Sequence, residues 1–252
     1  MDNIYYFNNL SQESDCIHLV TTKNSKYPFN FSLALHTGEN PKDILYNRAI
    51  IQERFPKFKF IVANQTHSDN IKIISNNSNY GWSKQSSAVE NCDGLITDRK
   101  NLFLTILTAD CVPILLFDPK QKVVSAIHAG WRGTAKKIVL KTIQKMVDKF
   151  NSKAEDIIAG VAPSIGRCCY EVNWEVAKYF IEYKDAVTRI EDKYMLDLPL
   201  INREQLLQMG VKANNIELSN ICTSCNLHDY FSYRKEGGCS GRFMSMIANI
   251  DK

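Results

Sequence analysis

The chain has 252 residues, of which 44% are hydrophobic and 23% are charged, with a formal net charge of +4. This length and balance are typical of a globular protein with a full core, so we expect one domain over residues 1–252. The weak charge, without a run of five basic residues, argues against a nucleic-acid partner. The lack of 18 consecutive apolar residues argues against a membrane span.

The cysteine content and the N-terminal segment predict the cellular compartment of the protein. Eight cysteines in so long a chain are too sparse for a disulfide framework, so most are expected to be buried thiols and a minority ligands. Residues 1–9 lack the basic-then-apolar order of a signal peptide. Both features predict a cytoplasmic protein.

The N-terminal third predicts a strand, a helix and two further strands. Residues 31–35 alternate apolar and small side chains and predict a strand that ends in a turn at His36. A helix is predicted from Asn40, which can cap it, to Pro56, which stops it. Residues 58–62 and 71–74 predict strands. His36 fits a plain turn residue, and binding through its ring stays open.

Three continuous apolar runs in the middle of the chain predict buried strands, at residues 102–107, 112–117 and 123–127. Cys111 and His128 lie at the ends of these runs, beside small residues and turn formers. His67 lies in a polar break between two predicted strands. Cysteine and histidine are metal ligands or nucleophiles, so their placement twice at a strand end predicts a site.

The segment after His128 predicts a helix that begins at about Thr134. Its free N–H groups, together with Arg132, have the chemistry that holds phosphate or carboxylate. A surface salt bridge by Arg132 is the other interpretation, and the sequence leaves both open.

The C-terminal part alternates predicted strands and helices. Strands are predicted at 157–161, 193–198 and 243–247, and helices after Asn173 and at 200–209. Cys168 and Cys169 are adjacent, which strains a disulfide between them, so they are predicted to be thiols. Cys222 and Cys225 have the spacing of half a zinc site, but no second pair with that spacing follows. We therefore predict a structural loop there and no second zinc.

Several motifs together resemble one family. They are Gln65-Thr66-His67-Ser68, Cys92-Asp93-Gly94, Thr108-Ala109-Asp110-Cys111-Val112-Pro113, His128-Ala129-Gly130-Trp131-Arg132-Gly133, Gly166-Arg167-Cys168-Cys169-Tyr170-Glu171-Val172 and Cys222-Thr223-Ser224-Cys225 with Phe231-Ser232-Tyr233-Arg234. The set is similar to the YfiH family, also called the laccase-domain, multicopper polyphenol oxidase or purine nucleoside phosphorylase family, with members described as peptidoglycan editing factors. The motifs run in order from about residue 30 to the C-terminus. Departures are Ser32, Glu39 and Ala162, where the family commonly has Asn, Asp and Gly.

This resemblance implies a fold and a metal. The implied fold is an α+β single-domain sandwich of mixed β-sheets flanked by helices. The implied metal, zinc with copper also possible, is held by His67, Cys111 and His128, which are also the implied catalytic residues. Two imidazoles and one thiolate leave one tetrahedral position open, as at catalytic rather than structural zinc. About one zinc per chain is then expected.

The resemblance also implies a reaction and its small-molecule partners. It favours a zinc-dependent purine nucleoside phosphorylase that uses phosphate with adenosine, inosine and methylthioadenosine, and that also deaminates adenosine. Arg48 or Arg132 is expected to hold the anion. Tyr233 or Phe231 is expected to stack on the base, and His36 to contact the substrate. Glu171 and Asp93 are candidates for proton transfer or for orienting a ligand histidine.

Two other functions stay open. The first is copper-dependent oxidation of phenols, although a multicopper site needs more histidines than the five present. The second is hydrolysis of a peptidoglycan precursor with Cys111 as nucleophile beside His128. The sequence does not predict the oligomeric state.

Overall fold

The computed structural model describes residues 4–238 and 240–250. Cys239, residues 1–3 and residues 251–252 lie outside the described part. Within it the strands are β1 (Ile4–Tyr5), β2 (Cys16–Thr21), β3 (Lys59–Val62), β4 (Ile71–Ile73), β5 (Gly94–Thr97), β6 (Leu102–Thr108), β7 (Val112–Asp118), β8 (Val123–Ala129), β9 (Ile158–Val161), β10 (Glu171–Val172), β11 (Val187–Ile190), β12 (Lys193–Leu196), β13 (Ile216–Leu218) and β14 (Phe243–Asn249). The α-helices are α1 (Asn8–Ser11), α2 (Pro41–Arg54), α3 (Trp131–Ala135), α4 (Ile138–Phe150), α5 (Trp174–Ala177) and α6 (Leu198–Gln208).

The strands form two large mixed sheets and one small antiparallel sheet. The five-stranded sheet has the order β1-β2-β14-β6-β3, and the six-stranded sheet has the order β13-β9-β7-β8-β5-β4. Parallel pairs occur only at or next to sheet edges, between β3 and β6, β4 and β5, and β9 and β13, among the described strands. The third sheet is β10-β12-β11.

The two large sheets pack face to face, and alternation along the strands decides which side chains meet between them. Leu115 and Phe117 of β7 lie in the core cluster that also holds Leu104 and Phe243 of the five-stranded sheet. Ile114 and Leu116, which alternate with these two residues, point to the opposite face and pack with residues of α4 and α6. Every residue of β6, β7 and β8 is buried, because both faces of each sheet are covered.

Helices cover the outer faces of this sandwich. Ile51 of α2 packs in a cluster with Phe60 and Phe103 on the outer face of the five-stranded sheet. The predicted cap of α2 is confirmed, since the Asn40 side chain accepts a hydrogen bond from the Lys42 N–H. The predicted α+β sandwich of mixed sheets flanked by helices is therefore confirmed.

The predicted strand at residues 31–35 is wrong. Pro28–Phe31 forms a 3-10 turn with positive φ at Phe29, Asn30 and Phe31, and the following residues are irregular. Side chains of α2 replace a neighbouring strand here, because Asn47 donates to the Ser32 carbonyl and Arg48 donates to the Leu33 carbonyl. The apolar alternation therefore reflects burial beneath a helix.

The single helix predicted after His128 is in fact two. α3 ends at Ala135, and α4 begins at Ile138. Between them Lys137 adopts the left-handed conformation with φ 60°, which interrupts the helical hydrogen bonds. The short α3 therefore has only one turn, which weakens the prediction of an anion site at its N-terminus.

No helix in the described ranges is long and apolar enough to cross a membrane.

Candidate active site

Cys111, His67 and His128 meet at one end of β7 and β8, the two central strands of the six-stranded sheet. β7 and β8 are antiparallel with Pro113 opposite His128, so the start of β7 lies beside the end of β8. The Cys111 Sγ is 3.9 Å from the His67 Nε2, and the two imidazole centroids are 4.8 Å apart. One ligand atom of each residue lies within 4.8 Å of the other two.

The buried carboxylate of Asp93 orients both histidines. Its Oδ1 accepts hydrogen bonds from the His128 Nδ1, at 2.7 Å, and from the His67 backbone N–H, at 3.0 Å. Its Oδ2 accepts from the Ser68 N–H and hydroxyl, at 2.7 and 2.6 Å. These bonds hold the loop where His67 has a positive φ of 57°. Asp93 is thus the candidate for orienting a ligand, one of two roles that the sequence suggested for it.

The charges of the cluster stabilise one another. Burial opposes ionisation of Asp93, but hydrogen bonds from His128 and Ser68 and the charge of His128 lower its pKa to about 2. Burial likewise opposes a Cys111 thiolate, yet the charge and hydrogen bond of His128 and the hydrogen bond of His67 lower its pKa to about 6. Burial lowers the pKa of His128, but the Cys111 thiolate and Asp93 overcome this and raise it to about 9. The site favours a thiolate at neutral pH, which is the form that binds metal.

The donor set fits a single metal ion. Two imidazoles and a thiolate are common zinc ligands. Around a tetrahedral ion, one sulfur ligand at about 2.3 Å and two nitrogen ligands at about 2.0–2.1 Å lie about 3.3–3.6 Å apart. The observed 3.9 Å between Cys111 and His67 needs only a small closure. Gly130 packs against the cluster, because a Cβ there would be 3.1 Å from the Cys111 Sγ and from the His67 Cδ2.

Asp93→Asn should weaken metal binding by roughly 10–100-fold, because an amide cannot accept every hydrogen bond that the carboxylate accepts. Zinc competition with a chromophoric chelator would measure this. Asp118→Asn is a matched control, since Asp118 is also buried and accepts from the N–H groups of Lys120 and Gln121 at the far end of β7. Equal zinc affinity in both variants would contradict the orienting role of Asp93.

A cavity of about 520 Å³ opens onto His67, Cys111 and His128, the three candidate ligands. This volume lies within the range of small-molecule sites, roughly 300–1,000 Å³. Its walls combine aromatic rings with charged and polar groups: Trp131, Tyr170 and Tyr233, together with His36, Gln65, Asp110, Arg234 and Arg242. A larger groove of about 700 Å³ adjoins it and shares His36 and Arg242, but contains none of the three ligands.

Asp110 fixes the shape of the cavity at the turn before Cys111. It has a φ of 88°, a conformation that non-glycine residues rarely adopt. Its Oδ1 accepts from the Thr223 hydroxyl at 2.7 Å, and its Oδ2 accepts from the Arg234 backbone N–H at 2.7 Å. The strained turn is therefore tied to the C-terminal segments that carry Arg234.

Two guanidinium groups that the site prediction did not include, those of Arg234 and Arg242, line the cavity. Arg234 lies over the Tyr170 ring at 5.2 Å and donates to the Glu171 carbonyl. Arg242 is half-buried, and burial lowers its pKa while the negative charges of Cys111, Glu39 and Asp110 raise it. The glycine-rich segment before Arg242 and the motif that ends in Arg234 were the available sequence signals.

His36 and Tyr233, both predicted to contact substrate, do line the cavity. The pKa of His36 is lowered, first by desolvation and then by the charges of Arg242 and Arg48, so its ring is neutral near pH 7. Tyr233 is half exposed and lies near the Arg242 guanidinium. Phe231 is 3% exposed and packs in a core cluster, and it lines the adjoining groove rather than this cavity.

Arg48, predicted as one of two candidates to hold the anion, does not line the cavity. It is 1% exposed, and its guanidinium donates to the carbonyls of Leu33, Gly81 and Trp82. These hydrogen bonds join α2 to two loops. The sequence could not distinguish an arginine that faces a cavity from one that faces backbone carbonyls.

Arg132 and Glu171 also lie outside the cavity lining. Arg132 is exposed, with its guanidinium 4.3 Å from the centre of the Trp131 ring. The exposed Glu171 carboxylate forms an ion pair with Lys193. Glu171 does not line the cavity in which it was a candidate for proton transfer. Both residues therefore border the site through their neighbours Trp131 and Tyr170.

The prediction that Cys222 and Cys225 lack a second pair of ligands is wrong. Cys168 and Cys169 bring their sulfur atoms within 4.8 Å of both. The four residues come from two segments separated by about fifty positions, so their spacing in the sequence does not reveal the cluster.

The comparisons with known proteins agree with this fold. Residues 17–249 match the family model described as multi-copper polyphenol oxidoreductase laccase. The chain is 33% identical to a purine nucleoside phosphorylase of Bacteroides thetaiotaomicron, over 96% of this chain and 94% of that one. It is 34% identical to adenosine deaminase RL5 of an unknown prokaryotic organism, over 74% of each chain.

A solved structure shares the whole architecture. It is that of the hypothetical protein YfiH of Bacillus licheniformis, which is 32% identical with a TM-score of 0.92 and covers 99% of this chain and 97% of that one. The resemblance noted in the motifs is confirmed by both the sequence match and this structural match. The chain therefore belongs to the laccase-like YfiH family.

Proposed function

We propose that the protein is a zinc-dependent purine nucleoside phosphorylase that acts on adenosine, inosine and methylthioadenosine, and that it also deaminates adenosine. The names of the relatives support the reaction class, since several are called purine nucleoside phosphorylases and one an adenosine deaminase. The observation that carries the proposal is the cavity in which the cluster of His67, Cys111 and His128 lies beside aromatic rings and guanidinium groups.

Phosphorolysis needs a bound anion and a held base. A phosphate oxygen bonds to the ribose C1′ while the bond from C1′ to the purine nitrogen breaks, and the base leaves with the bonding electrons and takes a proton. No oxidant or reductant is required. In this cavity Arg242 and Arg234 supply positive charge for the phosphate, and Tyr233, Tyr170 and Trp131 offer flat surfaces for the purine.

The chain's own residues prepare the reacting groups. Tyr170 stays protonated, because burial and the charge of Cys111 raise its pKa, so its hydroxyl can donate a hydrogen bond to an anion or ring nitrogen. The neutral His36 ring, which lines both cavities, can donate or accept a hydrogen bond where they adjoin. Asp93 accepts a hydrogen bond from the Nδ1–H of His128, so a metal would bind this ring at Nε2 and displace the proton there.

A metal ion held by His67, Cys111 and His128 would supply Lewis acidity that polarises a substrate oxygen or activates water. We favour zinc over copper on the surrounding donors. A copper electron-transfer site with two His and one Cys usually has a weak axial Met or Gln. Among the described residues that line the cavity none is a methionine, and both side-chain amide atoms of Gln65 bond to the Leu107 backbone.

A product assay tests this function directly. With adenosine, inosine or methylthioadenosine, chromatography should show free base only when phosphate is present. Adenosine should also yield inosine without phosphate, because water replaces the amino group. Free base formed equally well without phosphate would instead indicate a hydrolase. Phenol oxidation by the copper-loaded protein, without turnover of nucleosides, would support the laccase function.

A further inference from the structure

The four-cysteine cluster of Cys168, Cys169, Cys222 and Cys225 is separate from the three-ligand site. Cys168 and Cys169 lie in a tight turn in which the N–H groups of Cys169 and Tyr170 both bond to the Gly166 carbonyl. Cys222 and Cys225 lie in a second turn, closed by the bond from the Asn226 N–H to the Cys222 carbonyl. The two turns face each other, so every sulfur can reach one common point.

The sulfur distances distinguish a metal site from a disulfide. Sγ of Cys225 lies 3.6 Å from that of Cys168 and 3.4 Å from that of Cys169. A disulfide needs about 2.05 Å. Four thiolates around a tetrahedral zinc at about 2.3 Å would be about 3.8 Å apart. The observed spacing is close to that of a metal site with all four ligands from the protein.

Backbone groups around the cluster are arranged to stabilise thiolates. The Gly166 N–H donates to the Cys222 Sγ at 3.3 Å, and the Cys225 N–H also donates to this sulfur. A Cβ at Gly166 would come within 3.3 Å of the Cys222 Cβ and 3.5 Å of the Cys168 Sγ. Hydrogen bonds of this kind support metal-bound sulfur at well-built sites.

Four thiolates this close together would repel one another in the absence of a cation. A divalent ion reverses this, because a coordinating thiol loses its proton. A bound cation would therefore stabilise the four-cysteine cluster.

The position of the cluster indicates what it stabilises. Ser164 and Cys222 form a β-bridge, and the Thr223 N–H donates to the Ser164 carbonyl. Thr223 in turn bonds to Asp110 at the turn before Cys111, and Tyr170 lines the substrate cavity. An ion at the four cysteines would fasten one wall of the cavity to the C-terminal segment.

We propose that Cys168, Cys169, Cys222 and Cys225 bind a structural zinc ion that joins residues 164–170 to residues 222–225. A site with four thiolate ligands is closed to substrate, so its role is to hold the cavity wall in place. This zinc is independent of the metal at His67, Cys111 and His128.

Metal analysis of protein purified in reductant without chelator tests this proposal. The wild type should hold about two zinc ions per chain, one for each complete ligand set. Cys225→Ser should lose one, since Cys225 is exposed and its replacement disturbs no core. His67→Ala should lose the other, and a double variant should lose both. Cys16→Ala is the matched control, because Cys16 is a thiol outside both clusters.

Cobalt titration gives a second readout that does not depend on activity. In the His67→Ala background, cobalt should produce the strong thiolate-to-cobalt absorption of a four-sulfur site, and Cys225→Ser should abolish most of it. Folding of each variant is checked by circular dichroism. The proposal is overturned if Cys225→Ser keeps the wild-type zinc content, or if mass spectrometry of the wild type finds a disulfide within the cluster.

Discussion

Cys111→Ser should remove the metal from the three-ligand site and lower nucleoside turnover by about a thousandfold or more. A serine hydroxyl does not ionise near pH 7 as the Cys111 thiolate does, so the site loses both a ligand and its negative charge. A Lewis acid at the reacting oxygen contributes several kcal/mol to the transition state, and about 4 kcal/mol corresponds to a thousandfold in rate. Elemental analysis and the chromatographic assay measure the two effects.

His67→Ala separates a metal ligand from a catalytic nucleophile. If Cys111 acts as nucleophile with His128 as its base, His67→Ala leaves that pair intact and metal-free protein stays active. If the three residues hold a metal, His67→Ala should be as inactive as Cys111→Ser. Cys16→Ala should keep metal and activity in both cases, because Cys16 lies in β2 outside the cavity lining. Full activity of chelated wild-type protein, abolished only by alkylation of Cys111, would contradict the metal site.

The strands that carry this site are predictable because their apolar runs need burial on both faces. The prediction for β6, β7 and β8 is confirmed, and the antiparallel pairing of β7 with β8 explains why Cys111 and His128 meet. Their residue types suggested a metal ligand or a nucleophile, and the family resemblance implied His67 as a third ligand. The structure adds that Asp93 connects the His67 loop to His128. Local pattern and residue chemistry were enough for this half of the site.

Two of the failures share one cause, which is contact between segments far apart in the chain. Asn47 and Arg48 bond to carbonyls at positions 28–33, which turns an alternating stretch into irregular backbone. Cys168 and Cys169 lie close to Cys222 and Cys225 because β9 and β13, the strands that precede the two pairs, are parallel neighbours in the sheet. Neither periodicity nor spacing contains this information, because both describe neighbours along the chain.

The sequence also could not show which arginine faces the cavity, and this changes the residue that we expect to contact phosphate. Arg48 and Arg132 were reasonable from their positions, yet one bonds to backbone carbonyls and the other lies on the Trp131 ring. Arg242 lines the cavity with the three ligands, and its hydrogen bonds to Ser240 and Gly241 all use Nη1. We therefore place the phosphate contact at Arg242 in the proposed reaction.

Arg242→Ala should lower phosphorolysis by roughly ten- to a hundredfold at low phosphate, because one charge-assisted contact contributes about 1.5–3 kcal/mol. Deamination of adenosine should fall much less, since water rather than phosphate attacks in that reaction. Arg242→Lys keeps the charge and should recover part of the loss. Arg132→Ala is the matched control, and both of its activities should stay near those of the wild type.

Both activities are measured on one preparation of each variant, together with its zinc content and the dependence of phosphorolysis on phosphate concentration. Loss of the anion contact should raise the KM for phosphate more than it lowers kcat, because the contact exists in the bound ground state as well. If Arg242→Ala lowers phosphorolysis and deamination equally with zinc retained, Arg242 holds the nucleoside or the loop at 240–241. In that case Arg234, the other guanidinium in the cavity lining, becomes the candidate for phosphate.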